Sequence, residues 1–403
     1  MTSPRLSLKV YQDLESLQEV RPAWDDLLAH YPAASIFSTW EWLAPWWRAF
    51  GSNRQLWVIA FFTDSAQLAA LAPFSLESRR IGKGLKFKVL QLLGDGTQDS
   101  DNLDLPVRPG WEDRFVQSLL NYLESQASKW HFSELNTLPS NSLAGRKLEQ
   151  HLRQRRWTAL SYQRPCSAVT LPETWEAYLL QLSSNERGNL GRYSRRLERN
   201  YSVRFHKCTR ETELPACLNA LFELHQKRWK LSGQSGSFEN PARRQFYGEL
   251  ARLLLARGWL EFWHLELNGV PVAAQFAFRY GNTVFQLQEG FDPDYARDRV
   301  GYILRGYVLK SLIGEGIRCY DFLGGVDPSK ARWGAKTGTY LDLHFAVPCS
   351  RGSIYLQLKH RAQESKQRLR EIMPPRAWSL LHSVNMKLRG VKAPAQGRVN
   401  EGD

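Results

Sequence analysis

Two acidic residues in the second half of the chain have the setting of a general base. Glu289 closes the β-rich run 282–289 and stands directly before the loop Gly290-Phe291-Asp292-Pro293-Asp294. A carboxylate at a strand end can take a proton from a substrate held over the sheet, and it can equally cap the turn that follows. Asp321 lies inside Cys319-Tyr320-Asp321-Phe322-Leu323, where strand alternation puts it on one face with Cys319 and Leu323. A carboxyl buried there needs donors or keeps its proton to higher pH. It serves either as a base or as an acceptor that orients the N–H groups of the next loop. Cationic and anion-binding groups flank both. Residues 301–313 read as a helix after a strand and a short loop. The free N–H groups at Gly301, with Arg297 or Arg299 beside them, would suit a pyrophosphate. Lys330, Arg332 and Lys336 follow in the stretch DPSKARWGAKTG. It lacks the GxxxxGK[ST] phosphate loop but could neutralise a phosphate or orient an acceptor.

Other chemistries find no constellation. His225 and His264 are isolated, each expected at a satisfied core or surface position, and no Ser–His–Asp or Cys–His arrangement can be assembled. The five cysteines are scattered without metal or redox spacing, so reduced thiols and no metal are expected.

The elements that must position these residues come in one order, twice. Within 31–50, Ser38 and Glu41 have capping-box spacing, and Trp42, Trp46 and Phe50 recur every four residues. That predicts a helix with its tryptophans in the core. Runs 55–62 and 67–74 predict a hairpin, 87–93 a strand ending at Gly94-Asp95-Gly96, and 111–128 a helix. In the second half, 212–230 and 241–257 predict helices, the latter with a first-turn proline and Gly258 just beyond. Runs 260–267 and 270–280 flank Asn268-Gly269, a strong hairpin signal. Strand 282–289, helix 301–313 and strand 317–323 follow, the helix with a buried stripe through Ile303/Leu304, Tyr307/Val308 and Leu312. The pattern predicts an α/β chain of two similar halves, 1–165 and 166–350, each a mixed central sheet flanked by helices, with a basic helical tail over 351–403.

At 403 residues, 43% hydrophobic and 23% charged, the chain can build two cores and has neither a fibrous nor a disordered composition. Its longest apolar region, 56–74, is broken by Thr63, Asp64, Ser65 and Gln67, so no spanning helix is expected. The N-terminus MTSPRLSLKVYQDLE has no signal-peptide core, and a cytoplasmic chain is expected. The net charge of +14 is concentrated: residues 185–210 carry +6, 351–403 carry +7 and 145–160 carry +4. Patches of that kind point to an anionic partner, and no helix-turn-helix or zinc-finger signature makes that partner a specific nucleic-acid sequence.

The stretches LSSNERGNLGRYSRRLER (182–199), ELNGVPVAAQFAFRYGNTVFQLQEGFDPDYA (266–296) and GIRCYDFLGGVDPSKARW (316–333) resemble the CelD-like acetyltransferases associated with cellulose and exopolysaccharide biosynthesis. Those proteins belong to the GNAT superfamily and are related to the Fem-type aminoacyl transferases. The chain departs from their pattern at Arg299-Val300-Gly301, where they usually have Ser-Pro-Gly, and at Ser329, where a Tyr precedes the Lys. The resemblance implies tandem GNAT-like domains that move an acyl group from acetyl-CoA or another acyl-CoA to an amine or hydroxyl. The acceptor would be a small molecule or a glycan- or lipid-linked precursor of exopolysaccharide or cell envelope. Glu289 and Asp321 would then be bases, with Tyr302 or Tyr320 the acid toward the leaving thiolate. Arg297, Arg299, Gly301 and Lys330 would hold the coenzyme. Arg187, Arg192, Arg195, Arg196 and Arg199 of the basic helix would meet carrier phosphates or an acidic acceptor. Two alternatives remain: Fem-like transfer from aminoacyl-tRNA, the one case in which nucleic acid is expected, and a non-catalytic adaptor of a polysaccharide-synthesis assembly. A peripheral visit to the anionic inner-membrane surface is a further expectation, although Leu356/Leu358, Ala362 and Leu369 of the tail helix form no convincing membrane face.

Overall fold

Asn268 and Gly269 both adopt positive φ, 51° and 82°, the geometry that lets a two-residue turn join strongly twisted strands. The hairpin they close is one of two around which the chain is organised. The computed structural model describes residues 5–372 except 83, 98, 232, 234 and 235; of the predicted tail, 373–403 lies outside the described residues. The first half comprises β1 (Ser7–Tyr11), α1 (Leu14–Gln18), α2 (Arg21–Ala29), α3 (Trp40–Phe50), β2 (Arg54–Phe62), β3 (Leu68–Ile81), β4 (Leu85–Leu92), α4 (Glu112–Ser125), β5 (Phe132–Pro139), α5 (Leu143–Gln154) and β6 (Thr158–Thr170). Then come α6 (Trp175–Gln181), α7 (Ser184–Asn200), β7 (Val203–Lys207), α8 (Leu214–Leu231), α9 (Pro241–Ala256), β8 (Leu260–Leu267), β9 (Val270–Tyr280) and β10 (Thr283–Phe291). The chain continues with α10 (Val300–Gly314), β11 (Cys319–Gly324), α11 (Pro328–Ala331), β12 (Lys336–Ala346) and α12 (Arg351–Ile372).

Among the described residues twelve strands form one sheet, in the order β1-β2-β3-β4-β5-β12-β6-β11-β10-β9-β8-β7. Read from either edge, five strands in chain order are followed by the last strand of the other half and then by the half's own last strand. The halves therefore exchange β6 and β12, which pair antiparallel along their length from Lys336–Ala168 to Ala346–Thr158. Residue 165, where the sequence divides into halves, lies within the exchanged β6. Helices join the halves as well. Trp42 of α3 meets Phe246 of α9 edge-on at 5.3 Å, and Phe37 meets Phe278 and Phe285 at 5.6 and 5.7 Å. One hydrophobic core runs through both halves as a result, and a second lies under α6, α7 and α10.

Two local expectations change. Ser38 sits in a short 3-10 turn, Thr39 precedes α3 without a side-chain cap, and Glu41 instead accepts from Arg21 and Arg257, each at 2.7 Å. Tyr307 is 40% exposed rather than part of the buried stripe: its ring lies over Phe205 of β7 at 3.8 Å, at the edge of the sheet.

Because each half contributes a strand to the middle of the other, neither can unfold while the other keeps its sheet. Urea denaturation should give one cooperative transition, coincident by tryptophan fluorescence and far-UV circular dichroism. Two separated transitions would show that the exchange does not couple the halves.

Candidate active site

Parallel strands β10 and β11 stay together for three residues only, Thr283–Phe285 against Cys319–Asp321. Beyond Phe285, β10 remains paired with β9 through a bulge between Gln286 and Gln288, while β11 kinks against β6 between Asp321 and Gly324. The strands splay, and the β10 edge from residue 286 onward has no partner strand on that side. β4 and β5 separate in the same way after Gln91 and Glu134. The two openings meet where the halves exchange strands. There they form a cavity of about 780 Å³ lined by Asp95, Asp99 and Asp101 from the first half and Glu289, Arg305 and Lys330 from the second, among others.

The wall from the first half is the acidic loop between β4 and α4. Gly94 and Gly96 have φ of 104° and 94°, which a residue with a side chain adopts only at a cost. The loop they begin is held by side chains the sequence places in the core: Trp42 Nε1 donates to Ser100 Oγ at 2.9 Å and Trp46 Nε1 to Thr97 Oγ1 at 3.0 Å. From the other half, Tyr247 OH donates to Asp99 at 3.1 Å and Arg243 pairs with it at 3.0 Å. Asp95 accepts from Asn136 Nδ2 at 2.7 Å; burial nevertheless pushes its pKa to about 6, against the hydrogen bonds from Asn136 and Gly96.

The end of β11 is the wall from the second half. Leu323 N–H donates to Asp321 Oδ1 at 2.7 Å, and Gly324 N–H to Asp101 Oδ2 at 2.8 Å. Two carboxylates from distant parts of the chain are thus anchored on adjacent amides. Burial lifts Asp321 to about 6, the nearby Asp101 charge adds to that, and the Leu323 N–H and Lys330 oppose it. Burial raises Asp101 likewise. Lys330 donates to the carbonyls of Phe322, Gly324 and Gly325 at 3.1, 2.7 and 3.2 Å. It binds the strand end, and burial lowers its pKa against the attraction of Asp327, Asp101 and Asp321. Glu289 also reaches the cavity, but it is paired with Arg228 at 3.2 Å and with Arg305. Burial alone would raise its pKa; the two guanidinium groups outweigh that and hold it below the usual range. An ion-paired carboxylate of this kind is a weaker proton acceptor than Asp321.

The cavity therefore brings together Glu289, Lys330 and the strand end Phe322–Gly325, while Asp321 stands directly behind that strand end and is not part of the lining. It does not include the helix start on which coenzyme binding was expected. Arg297 is exposed, Arg299 takes the left-handed conformation (φ 55°) at the α10 cap, and Gly301 packs on Phe291. Buried Asp298, just ahead of that cap, accepts from Tyr201 at 3.2 Å and pairs with Arg196 at 3.4 Å. Tyr302 donates to Glu186 Oε2 at 2.7 Å, which raises its pKa together with burial. Tyr320 is fully buried, and burial raises its pKa too. Of the basic helix, Arg192, Arg195, Arg196 and Arg199 are exposed on α7 and Arg187 is half-buried, outside the cavity lining. Sequence reasoning missed Asp95, Asp99, Asp101, Arg228 and Arg305. The signals were an acidic run, GDGTQDSDNLD, in a basic chain and a lone arginine amid the apolar residues of α10. Among the described residues no His/Cys/Asp/Glu group could hold a metal ion.

Residues 184–331 match the family model described as Acetyltransferase (GNAT) domain. No curated protein matches the chain. Among solved structures it is similar to FemX, at 10% identity and a TM-score of 0.56 over 87% of this chain and 99% of that one. It is also similar to a conserved protein of unknown function from Bacteroides thetaiotaomicron VPI-5482, at 13% identity and a TM-score of 0.51 over 81% and 97% of the two chains. The fold is thus the α/β GNAT-like one, a mixed central sheet with flanking helices, shared with Fem-type proteins.

Asp95 offers a test of the cavity's electrostatics. Its folded pKa of about 6 exceeds the ordinary 3.8, so the folded chain holds the proton more tightly than the unfolded one. The ionised group is penalised in the folded state above about pH 6, and the penalty vanishes below about pH 4. Asp95→Asn should be more stable than the parent at pH 8 by on the order of 1–2 kcal/mol. Urea denaturation across pH should show that gain fading between pH 6 and 4.

Proposed function

We propose that the chain is an acyltransferase of Fem type, in which the acyl carbonyl lies against the unpaired edge of β10 and the acceptor enters the central cavity. The observation that carries this reading is the splay of β10 from β11 beside two carboxyls of raised pKa. Backbone N–H groups on a fixed strand edge can stabilise the oxyanion of acyl transfer. Asp321, seconded by Asp101, takes the proton from the attacking amine or hydroxyl. The new bond joins that nitrogen or oxygen to the carbonyl carbon, the bond to the carrier breaks, and the carrier oxygen or sulfur leaves with a proton. Arg305 and Arg228 hold Glu289 ionised and fix the β10 edge. We read the two halves as GNAT-like domains in tandem.

The donor we favour is aminoacyl-tRNA rather than acyl-CoA. Asp298 puts negative charge at the helix start where a pyrophosphate was expected, and Arg192, Arg195 and Arg199 offer an exposed cationic surface to a longer polyanion. The acceptor is an amine or hydroxyl of a small molecule or of a glycan- or lipid-linked cell-envelope or exopolysaccharide precursor, used on the cytoplasmic side.

Two experiments test this. Filter binding should detect tRNA at micromolar concentration, and the variant R192E/R195E/R199E should bind at least about tenfold more weakly with a shallower salt dependence. Micromolar calorimetric binding of coenzyme A, with no binding of tRNA, would overturn the donor. In the second, deacylation of aminoacyl-tRNA by an added small amine should fall by about 10²-fold or more in Asp321→Asn. In the parent, activity should be lost as pH falls through about 6, where Asp321 becomes protonated. Unchanged rates in Asp321→Asn would remove it from the chemistry.

A further inference from the structure

Helix α12 is fastened to the first half along one side. Gly352, Ser353 and Leu356 are buried, and a Cβ on Gly352 would lie 1.7 Å from the His131 carbonyl oxygen. Tyr355 packs on Phe87 and Phe132 with ring centroids 5.0 and 4.9 Å away, and Lys359 donates to Glu134 at 2.9 Å. Among the described residues no element packs on the side this leaves outward. Ile354, Leu358 and Leu369 are 57%, 60% and 46% exposed, and spacings of four and eleven residues put them on one helical face. Leu85 extends the apolar line. It is 62% exposed and alternates onto the same face of β4 as Phe87, which α12 covers.

The surroundings of this line are cationic. Arg361, Lys366 and Arg368 are exposed on α12. Arg351 ties the two elements together, donating to the Lys86 carbonyl at 3.1 Å and lying over the Phe87 ring at 4.7 Å. Among the described side chains the neighbouring acids are already engaged: Glu77 by Arg79, Glu134 by Arg79 and Lys359, and Glu364 by His360 at 3.3 Å.

We propose that this face seats the protein on an anionic phospholipid surface. An apolar protein groove closing over the line from Leu358 to Leu369 would bury Arg361 and Arg368 without counter-charges. At a lipid interface the same arginines reach the headgroups while the leucines and isoleucine enter the acyl boundary. Isolated apolar side chains with flanking cations are what such a surface accommodates, each cation adding to the attraction. No described helix is long and apolar enough to cross a membrane, so the contact is peripheral. It does not depend on the acyl-transfer reading.

Co-sedimentation of the full chain with vesicles tests the proposal. The protein should pellet with phosphatidylcholine vesicles containing about one third phosphatidylglycerol, and about tenfold less with phosphatidylcholine alone. Ile354→Glu with Leu358→Glu should reduce binding to the anionic vesicles about tenfold. Arg361→Glu with Lys366→Glu should reduce it similarly, and circular dichroism should report an unchanged fold for both. No binding by the parent, equal binding to neutral vesicles, or full binding by the first variant would each overturn it.

Discussion

The centre of this molecule depends on how the end of β11 satisfies its backbone. A strand that stops inside a protein leaves N–H and carbonyl groups that water cannot reach. Here the Lys330 ammonium takes three of the carbonyls, Asp321 and Asp101 take two of the N–H groups, and the next, on Gly325, goes to the Pro165 carbonyl. Leu323 is held with φ at 61° within this network, a conformation that a branched side chain adopts only when its surroundings impose it. The same bonds stop β11 from following β10 and so open the splay. They also collect two carboxyls and an ammonium in a space where each alters the others' proton affinity.

The exchange of β6 and β12 gives that node its second half. Each exchanged strand is paired on both sides by strands of the opposite half, so the sheet has no seam along which the halves could slide. Asp342 strengthens the crossing by accepting from Thr137 N–H on β5 at 2.8 Å and from Arg164 on β6 at 2.6 Å. The acidic loop after β4 is consequently delivered to the end of β11 at fixed distance. Asp101 can serve a strand end 223 positions away because the sheet between them is continuous.

The charge pattern divides in the same way. The basic excess lies outside, on α7 and α12, where solvent makes each charge cheap to keep. Acids gather inside, at and behind the cavity wall, where burial raises the pKa of Asp95, Asp101 and Asp321. Glu289 is the exception, since two guanidinium groups share its burial. Two carboxylates that look alike in the sequence thus part in chemistry: one is locked ionised and the other is poised to exchange a proton near pH 6.

Much of the fold is written in neighbouring residues. Asn268-Gly269 encodes its turn, the four-residue recurrence of Trp42 and Trp46 encodes α3, and the order of helices, hairpin and strand is legible in each half. Side-chain periodicity and turn geometry are properties of contiguous chain, so they survive without coordinates. The cavity is not of that kind. Which acid keeps its proton is decided by what lies beside it: Arg228 and Arg305 at Glu289, Asp101 and a strand-end amide at Asp321. Those neighbours come from remote segments, brought together only when β6 and β12 cross. The helix start at Gly301 shows the converse. Its local pattern suits an anion, but tertiary packing sets buried Asp298 there and lays α7 across it, because an acid near a helix N-terminus with Arg196 at hand is itself a stable arrangement.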